Sequence, residues 1–330
     1  MTITSDTSAP LVAVVGATGM QGGSVIKALA ASRKPYRIRG FTRDTSKPAA
    51  KALSAQGVEM VNVSLTVDNK DQVFKVFQGA NVAFIVTNFW EHFDKIRETA
   101  EGKMLIDAAK AAGVRLLIWS GLISAVEESK GKFVHVDHLD GKAEVTKYAR
   151  SIIPAGGPTR FLNVIAGLYN TNFHLPVGLP RKQADGSFVI ALPAPADSVV
   201  PSIDTARDYG LFVRKVIEED VDPSVRDVGA YGEFISYADM VKQLSEITGK
   251  TVTYKEVTSD EYVAAAVAGG YPQRIALELS EMYQGIAELG YFGGTEIGNG
   301  NGKDRLPVGV EGAFTWAEWV KATDWSKILA

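Results

Sequence analysis

Apolar residues concentrate in short runs through the first half of the chain, and longer segments with helical character separate these runs. The runs are rich in β-branched side chains and lie at 11–15, 36–42, 58–63, 81–86, 114–119 and 159–164. A strand that is apolar along its whole length is buried on both faces, as happens when helices cover both sides of a parallel sheet. The pattern therefore predicts an α/β fold with a doubly wound parallel sheet.

The pattern loosens after about residue 165, where a series of prolines that ends at Pro201 predicts loops. Two later segments, 236–239 and 315–318, fit the capping-box pattern and predict the starts of helices. The glycine-rich stretch 293–304 predicts a mobile surface loop. The second half of the chain is therefore expected to form a smaller mixed lobe beside the sheet.

Four glycines fall within residues 14–23, directly after the first apolar run. Gly16, Gly19 and Gly22 have the spacing G-x-x-G-x-x-G and lie where the first strand passes into the first helix. Residues without Cβ permit a tight turn, let backbone N–H groups approach a phosphate, and let the helix pack closely on the strand. The positive end of the helix then favours a pyrophosphate. The motif predicts a Rossmann fold that binds a dinucleotide, with a glycine-lined turn that binds nothing as the alternative.

The end of the second predicted strand indicates which dinucleotide is bound. A carboxylate there would hold the ribose 2′-hydroxyl of NAD, whereas this chain has Arg43, with Lys47 one helical turn further on. Arg43 can pair bidentately with a 2′-phosphate and Lys47 can add a second charge, so NADP(H) is the expected cofactor. Asp44 lies beside Arg43, and we expect it to point away or to cap the next helix. An ordinary solvated pair of cations is the alternative.

These observations divide the chain into three expected parts. Residues 1–10 form a flexible tail, and residues 11–165 form an NADP-binding Rossmann domain. Residues 166–330 form the smaller lobe, which would contact a substrate or a protein partner and would return some segments to the sheet.

Several segments, in their order and spacing, resemble the NmrA-like proteins, an atypical branch of the short-chain dehydrogenase/reductase superfamily. They are GATGMQGGSV, TRDTSK, FIVTNFWE, EGKMLIDAAKAAGV, WSGL, HLDGKAEVTKY and AGLYNTNF. The resemblance covers most of residues 10–205 and weakens beyond them. The family includes a fungal regulator of nitrogen metabolism and an animal NADPH sensor, so it implies both NADP(H) binding and regulatory protein partners.

The resemblance also implies which residues contact the nucleotide besides Arg43 and Lys47. The phosphate loop would comprise Gly16, Thr18, Gly19, Met20 and Gln21, followed by Gly22; the path from adenine to nicotinamide would be lined by Thr87, Asn88, Phe89 and Lys103; the nicotinamide end would be flanked by Lys142, Tyr169 and Asn172. The family usually has an acidic residue near the end of the third strand, where this chain reads Val63-Ser64-Leu65. An adenine contact at that strand is therefore not expected.

A catalytic pair is present only in altered form. The superfamily's reductases carry Tyr-x-x-x-Lys, because a spacing of four puts both side chains on one helix face. Here the spacing survives as His138 and Lys142, with histidine in place of the proton-donating tyrosine. Either residue can in principle supply a proton, since free histidine titrates near neutrality. The animal sensor of the family has the same histidine, so the substitution favours sensing over turnover.

Composition excludes several classes of function. The formal net charge is −3 and no cationic cluster occurs, which argues against direct nucleic-acid binding. No cysteine is present, and the histidines do not cluster as metal ligands, so no metal is expected. No apolar run approaches the length of a membrane span, so no membrane association is expected. We expect a cytoplasmic protein, with the nucleus as a second compartment.

Two functions follow from the sequence. The first is a redox-sensing regulator, in which NADP(H) reorganises the loops around 88–93 and 293–304 and alters association with a protein partner in transcription regulation. The alternative is an oxidoreductase that uses NADPH to reduce a small carbonyl, enone or quinone, with Lys142 or His138 as the proton source.

Overall fold

The computed structural model describes residues 2–175, 178–219, 225–293, 305–307 and 310–330, the segment 305–307 by its backbone alone. Its strands are β1 (Leu11–Val14), β2 (Arg37–Thr42), β3 (Glu59–Asn62), β4 (Val82–Ile85), β5 (Leu116–Trp119), β6 (Arg160–Ala166), β7 (Leu168–Tyr169), β8 (Arg181–Lys182), β9 (Phe188–Leu192), β10 (Val199–Ile203), β11 (Asp227–Ala230), β12 (Glu233–Ser236), β13 (Val252–Glu256) and β14 (Arg305–Pro307).

The α-helices of the same residues are α1 (Met20–Ala30), α2 (Pro48–Ala55), α3 (Lys70–Val76), α4 (Lys95–Ala111), α5 (Ala125–Glu128), α6 (Asp137–Ile152), α7 (Thr205–Glu218), α8 (Tyr237–Thr248), α9 (Ser259–Ala268), α10 (Gln273–Leu289) and α11 (Trp316–Ala322). Short 3-10 helices lie at Val67–Asn69, Phe89–Glu91 and Asn170–His174.

A parallel sheet in the order β14-β11-β6-β5-β4-β1-β2-β3 organises the first half of the chain. Its central strands β1 and β4 are buried at every residue, whereas β3 at the edge is partly exposed. One apolar core lies between the sheet and the pair α1 and α7, and a second lies on the opposite face beneath α3, α4 and α6. The predicted doubly wound α/β fold is confirmed.

The strand order reverses between β1 and β4, because β2 and β3 lie on one side of β1 and β4 to β6 lie on the other. At such a reversal the connections diverge to opposite faces and leave a crevice beyond the carboxyl ends of the strands. The crevice here is bordered by the β1–α1 loop and by the segment that follows β4. This is where the sequence predicts the nucleotide.

The second half of the chain returns to the sheet after the predicted boundary at residue 165. Strands β11 and β14 extend the sheet beyond β6, and α7 packs along α1. Gly210 of α7 lies so close to α1 that a Cβ there would be 2.0 Å from the Ser24 carbonyl oxygen. The Rossmann unit is therefore assembled from both halves of the sequence.

The remaining segments form the smaller lobe, which contains the three-stranded sheets β12-β10-β7 and β13-β9-β8 and the helices α8 to α11. Its apolar core buries the aromatic rings of Tyr237, Trp316 and Trp319. Pro201, which the sequence places in a loop, instead pairs with Phe234 inside β10. A proline is tolerated there because β10 pairs with β7 only through Ser202 and Ile203, so no ladder hydrogen bond requires its missing N–H.

The described part of the predicted flexible tail is attached to the Rossmann domain. The Thr2 N–H donates to the Ala30 carbonyl at 3.3 Å, and Ile3 forms a parallel bridge with Tyr36. Residues 294–304, which contain most of the predicted mobile loop, lie outside the described residues.

Candidate functional site

The β1–α1 loop forms a cradle that only glycine can build. Gly16 has a φ of +66°, a left-handed conformation that glycine adopts without strain. A Cβ on Gly22 would lie 2.2 Å from the Gly16 carbonyl oxygen, so the turn could not close over any larger residue. Helix α1 begins after Gly19 without a side-chain cap and without an acidic residue in its first turn. Its first N–H groups are thus available to an anion.

Gln21 in the first turn of α1 is buried, and its two polar atoms differ in their partners. Its Nε2 donates to the Tyr169 hydroxyl at the start of the smaller lobe, with the two atoms 2.5 Å apart. Its Oε1 is buried without a hydrogen-bond partner among the described residues. A buried acceptor of this kind is costly unless a ligand donor satisfies it. Burial also raises the pKa of Tyr169 to about 12, so its hydroxyl stays neutral at physiological pH.

Arg43 and Lys47 lie together at the other end of the cradle, beyond β2. The Arg43 side chain is 67% exposed and pairs with Glu91 from the segment after β4. Asp44 turns back on its own loop, where its carboxylate accepts from the Ser46 N–H at 2.8 Å and from the Ser46 hydroxyl at 2.6 Å. These hydrogen bonds lower the pKa of Asp44. Asp44 therefore does not compete for Arg43, as the sequence led us to expect.

Lys142 of α6 is held by three acceptors. Its Nζ donates to the Thr87 carbonyl at 2.9 Å, to the Thr87 hydroxyl at 2.8 Å and to Glu98 Oε1 at 2.7 Å. The side chains of Lys142 and Glu98 are 12% and 3% exposed. An ammonium group has three N–H donors, so each has a partner within the protein. This arrangement fixes the position of the Lys142 side chain and uses all three of its N–H donors in hydrogen bonds within the protein.

His138 lies one turn earlier on the same helix face, as the spacing predicts. Its backbone N–H donates to Glu278 Oε1 at 2.8 Å, and its ring Nδ1 lies 2.8 Å from the same oxygen. Glu278 belongs to α10 and is fully buried. The His138 ring packs against Phe89 and Trp90, with centroid distances of 6.0 and 5.0 Å. The ring therefore has a fixed orientation at the boundary between the Rossmann domain and the smaller lobe.

A single cavity of about 1050 Å³ connects these groups. Single-ligand sites commonly occupy roughly 300–1,000 Å³. The lining of the cavity includes a group of apolar and aromatic side chains that we term the aromatic chamber, and the His138 ring contacts two of them, Phe89 and Trp90. The walls of the chamber are formed by Phe89, Trp90, Leu122, Leu168, Leu175, Tyr271, Leu279, Met282, Tyr283 and Tyr291. Burial raises the pKa of Tyr283 and of Tyr291, so both hydroxyls remain neutral.

The structure brings almost all of the sequence-predicted site residues together. Those that line the cavity are Gly16, Thr18, Gly19, Met20, Gln21, Gly22, Arg43, Lys47, Thr87, Asn88, Phe89, His138, Lys142, Tyr169 and Asn172. Lys103 is the exception, because its Nζ pairs with Glu144 at 2.6 Å and stands over the Tyr148 ring outside the cavity. The segment 63–65, where no adenine contact was expected, does line the cavity, as does Asp68 nearby.

Sequence reasoning missed three carboxylates at the site, Glu91, Glu98 and Glu278. Each pairs with a predicted residue, namely Arg43, Lys142 and His138 respectively. A weak signal was available for Glu98, since it lies in the first turn of the helix whose start is capped by Asp94. No local pattern marks Glu278, which is 140 positions from its partner.

Two kinds of site are absent from the described residues. No three His, Cys, Asp or Glu side chains come together there as a candidate metal site. None of the helices in that part of the chain combines the length and apolar character needed to cross a bilayer.

The same fold occurs in solved structures of known proteins. NmrA, a negative transcriptional regulator solved in complex with NADP, matches with a TM-score of 0.77 and 24% identity, covering 97% of each chain. An NADPH-dependent quinone oxidoreductase from Escherichia coli, solved with NADPH, matches with a TM-score of 0.69 and 22% identity, covering 94% of this chain and 99% of that one. At these identities the likeness establishes the fold.

Sequence comparisons establish the family. A family model described as the NmrA-like family matches residues 8–327. The NmrA-like family domain-containing oxidoreductase ptmS of Penicillium ochrochloron is 30% identical over 260 residues, covering 75% of this chain and 76% of the relative. The corresponding oxidoreductase cpsB of Aspergillus campestris is 30% identical over 308 residues, covering 89% and 87%. The chain belongs to the NmrA-like family.

Proposed function

We propose that this protein binds NADP(H) and reduces a small, flat, uncharged carbonyl compound such as a quinone or an enone. The observation that carries the proposal is the aromatic chamber, the group of apolar and aromatic side chains that lines the same cavity as the nucleotide residues and includes the two rings in contact with His138. A protein that only binds a nucleotide needs no such group of side chains beside the cradle. An apolar pocket with a few polar groups is what a small substrate requires.

The groups along the cleft fit NADP(H). The cradle at Gly16 to Gly22 suits a pyrophosphate, and Arg43 and Lys47 suit a 2′-phosphate. The unpartnered Gln21 Oε1 suits a ribose hydroxyl. The nicotinamide of NADPH, when bound, supplies hydride to the carbonyl carbon of the substrate. Related curated proteins, including ptmS and cpsB, are named as oxidoreductases, which agrees with this chemistry.

His138 is the better proton donor of the two residues that the sequence nominates. All three N–H groups of Lys142 have acceptors within the protein, so losing one to a substrate would break the contact with Thr87 or Glu98. His138 uses only Nδ1 for Glu278, and its ring lines the cavity. Nε2 of the protonated ring therefore gives its proton to the substrate oxygen, which becomes a hydroxyl, and solvent returns the proton to the ring.

The walls of the chamber determine the substrate class. They carry five aromatic rings, and their other side chains are Leu and Met. Aromatic faces bind flat rings by stacking and edge contacts. The buried tyrosine hydroxyls stay neutral, so they can donate hydrogen bonds to a carbonyl but cannot balance a charge. A charged substrate would lose its hydration among these apolar side chains, which is costly.

A spectrophotometric assay tests the proposal. Purified protein with NADPH and a panel of quinones, enones and aromatic ketones is expected to oxidise the cofactor, measured by the fall in absorbance at its nicotinamide band. General acid catalysis contributes about 10²–10⁴-fold, so His138→Ala should lower kcat by at least about 100-fold and leave the NADPH Kd within about twofold. No oxidation with any member of the panel would contradict the proposal.

The chain offers a matched control for His138. His135 pairs with Glu281 in the same way, from the segment just before α6 to α10, but its side chain is 47% exposed and does not line the cavity. His135→Ala removes the same chemical group from the same helix pair. It should leave kcat unchanged, which separates loss of the proton donor from loss of a contact between the lobes.

A regulatory role is the second candidate, and the ion pair between Arg43 and Glu91 favours it. A 2′-phosphate bound by Arg43 displaces Glu91 from this pair. Glu91 belongs to the segment 88–93, which also carries the exposed Trp90 and Phe93 rings. Nucleotide binding is thereby coupled to a partly apolar surface, to which a protein partner could bind. A regulator must respond differently to NADP⁺ and NADPH, because a ligand with equal affinity for two states shifts neither.

A further inference from the structure

Glu278 has an arrangement that packing alone does not explain. It is fully buried on α10, and one oxygen, Oε1, accepts from the His138 backbone N–H and lies 2.8 Å from the His138 ring Nδ1. The other oxygen, Oε2, has no hydrogen-bond partner among the described residues. A buried carboxylate with an idle oxygen carries a large desolvation cost. The two N–H groups of His138 are thus its main compensation.

The neighbouring pair shows what a purely structural version of this contact looks like. Glu281 accepts from the His135 backbone N–H with Oε2 and contacts Nδ1 with Oε1, so both of its oxygens are used. His135 is 47% exposed, and neither member of that pair lines the cavity. Capping of the first turn of α6 accounts for the bond between Glu278 and the backbone of His138. It does not account for the second bond, from Nδ1 to the same buried oxygen.

We propose that Glu278 is a positioning residue for His138. Glu278 accepts a hydrogen bond from the Nδ1–H group and thereby fixes the ring orientation and the tautomer. Nε2 is then the nitrogen that acts at the aromatic chamber. This inference rests on the proposed reductase function, in which Nε2 of the protonated ring gives its proton to the substrate oxygen. The smaller lobe thereby takes part in the reaction, because α10 supplies the group that aligns a histidine of the Rossmann domain.

The first test needs no substrate. The chain has four histidines, so the ring ¹⁵N NMR signals of His138 can be assigned by their loss in His138→Gln. In the wild-type protein with neutral His138, the proton is expected on Nδ1. Glu278→Met, which keeps the volume but removes the acceptor, should shift the proton to Nε2, and Glu278→Gln, which retains an acceptor oxygen, should restore it to Nδ1. Glu281→Met is the matched control and should leave the His138 signals unchanged.

The second test measures turnover. Glu278→Met should lower kcat by about 100-fold, while KM and the NADPH Kd stay within about twofold, because the effect acts through proton delivery and not through binding. Glu278→Gln should recover at least about tenfold of the loss. The unchanged NADPH Kd shows that the variant is folded, and if Glu278→Met does not fold, the wild-type tautomer and the Glu278→Gln kinetics remain decisive.

The outcomes separate this inference from the proposed function. A wild-type protein that turns over substrate with the His138 proton on Nε2, or a Glu278→Met variant with wild-type kcat, overturns the positioning role alone. A wild-type protein that oxidises NADPH with no compound in the panel overturns the proposed reaction, and with it any catalytic purpose of the pair, even if the proton lies on Nδ1.

Discussion

The ion pair between Arg43 and Glu91 contributes little free energy of folding. The ion pair between Arg43 and Glu91 is exposed to solvent, and exposed pairs of this kind stabilise a protein by only about 0–1 kcal/mol. A doubly charged 2′-phosphate offers Arg43 stronger, bidentate hydrogen bonds. We therefore expect the exchange of Glu91 for a phosphate to be favourable, and we expect Arg43 to distinguish NADP(H) from NAD(H).

Replacing Arg43 with alanine tests that role. A hydrogen bond between charged groups contributes about 1.5–3 kcal/mol, so Arg43→Ala should weaken NADPH binding by roughly 10- to 100-fold and leave NADH binding nearly unchanged. Isothermal titration calorimetry measures both. Lys51→Ala is the control, because Lys51 is an exposed cation on the same helix as the Lys47 cap but does not line the cavity. Equal losses for the two nucleotides would refute the assignment.

Glu91 should act in the opposite direction. Its carboxylate occupies Arg43 and repels an incoming phosphate, so Glu91→Gln should tighten NADPH binding by up to about fivefold, the equivalent of about 1 kcal/mol. The effect should diminish at high salt, since the charges are exposed. Weaker NADPH binding in Glu91→Gln would mean that Glu91 supports the nucleotide instead of competing with it.

Sequence reasoning found the site residues whose position follows from nearby elements of the chain, and it missed residues such as Glu278 that reach the site through contacts between distant elements. Gly16 and Arg43 lie just after strands β1 and β2, and Gly22 lies in the first turn of the helix that follows β1, so their place in the crevice follows from the fold. Glu278 reaches His138 only because two distant helices pack together, which no local pattern encodes. Lys103 fails for a geometric reason: it follows the buried Glu98 by five positions, roughly 140° around the helix, and so leaves the cleft side of α4.

At the scale of elements, the contact between α1 and α7 determines where the phosphate cradle lies. The Gly210 N–H donates to the Ser24 hydroxyl at 2.9 Å, and the backbones touch at that point. The same helix α1 presents its first turn to the cleft. Any displacement of α1 by α7 must therefore also move the anion-binding N–H groups.

Gly210→Ala should consequently weaken both stability and nucleotide binding. The added Cβ would lie 2.0 Å from a backbone oxygen that cannot rotate away, and overpacking of this kind costs about 1–3 kcal/mol of unfolding free energy. Urea denaturation and NADPH titration measure the two effects. Gly23→Ala on α1 is the control, because its Cβ would lie an ordinary 3.5 Å from the Ala17 oxygen. A Gly210→Ala variant as stable as Gly23→Ala would show that the helices can separate without cost.

The docking of the C-terminal helix on the smaller lobe should depend on pH through His174. Its ring packs between Trp319 and Trp325, with centroids 5.2 and 5.1 Å away, and burial lowers its pKa. The unfolded chain then binds more protons than the folded one, so this contribution to stability is full above the unfolded pKa of about 6.5 and is lost as the pH falls below it. Urea midpoints followed by tryptophan fluorescence should therefore drop more between pH 7.5 and 5.5 in the wild type than in His174→Phe. Parallel drops would exclude His174 as the cause.

The elements of the Rossmann unit were predictable, whereas in the smaller lobe the sequence predicted the helix starts at Ser236 and Thr315 but not the strands. Each of the six apolar runs contains most of one observed strand. The signal is clearest for β1 and β4, because these strands are buried at every residue. Strands such as β8 and β10 are short, partly exposed or interrupted by proline, and tertiary pairing alone defines them. Pro201 is the clearest case, since its local preference for a loop is overridden by the pairing of β10 with β12.

At the scale of the whole molecule, the cleft belongs to both lobes. The Rossmann domain supplies the cradle, Arg43 and the fixed Lys142, while the smaller lobe supplies Glu278 and most of the aromatic chamber. A nucleotide and a substrate bound together would thus contact both lobes. A ligand that binds only the folded state stabilises it by about 2.7 kcal/mol when its concentration is 100 times Kd.

Hydrogen exchange with NADP⁺ and NADPH can separate the reductase from the regulator at this scale. In a reductase, both nucleotide forms contact the same cradle and the same segment after β4. We therefore expect both forms, each at 100 times its Kd, to slow amide exchange at residues 16–22 and 88–93 to a similar extent. A regulator instead requires a segment that responds to one form only, because equal affinities cannot shift an equilibrium between two conformations. Protection of residues 88–93 by NADPH but not by NADP⁺ would therefore contradict the reductase as the sole function. It would also identify the surface around Trp90 and Phe93 as the part of the protein that responds to the redox state of the nucleotide.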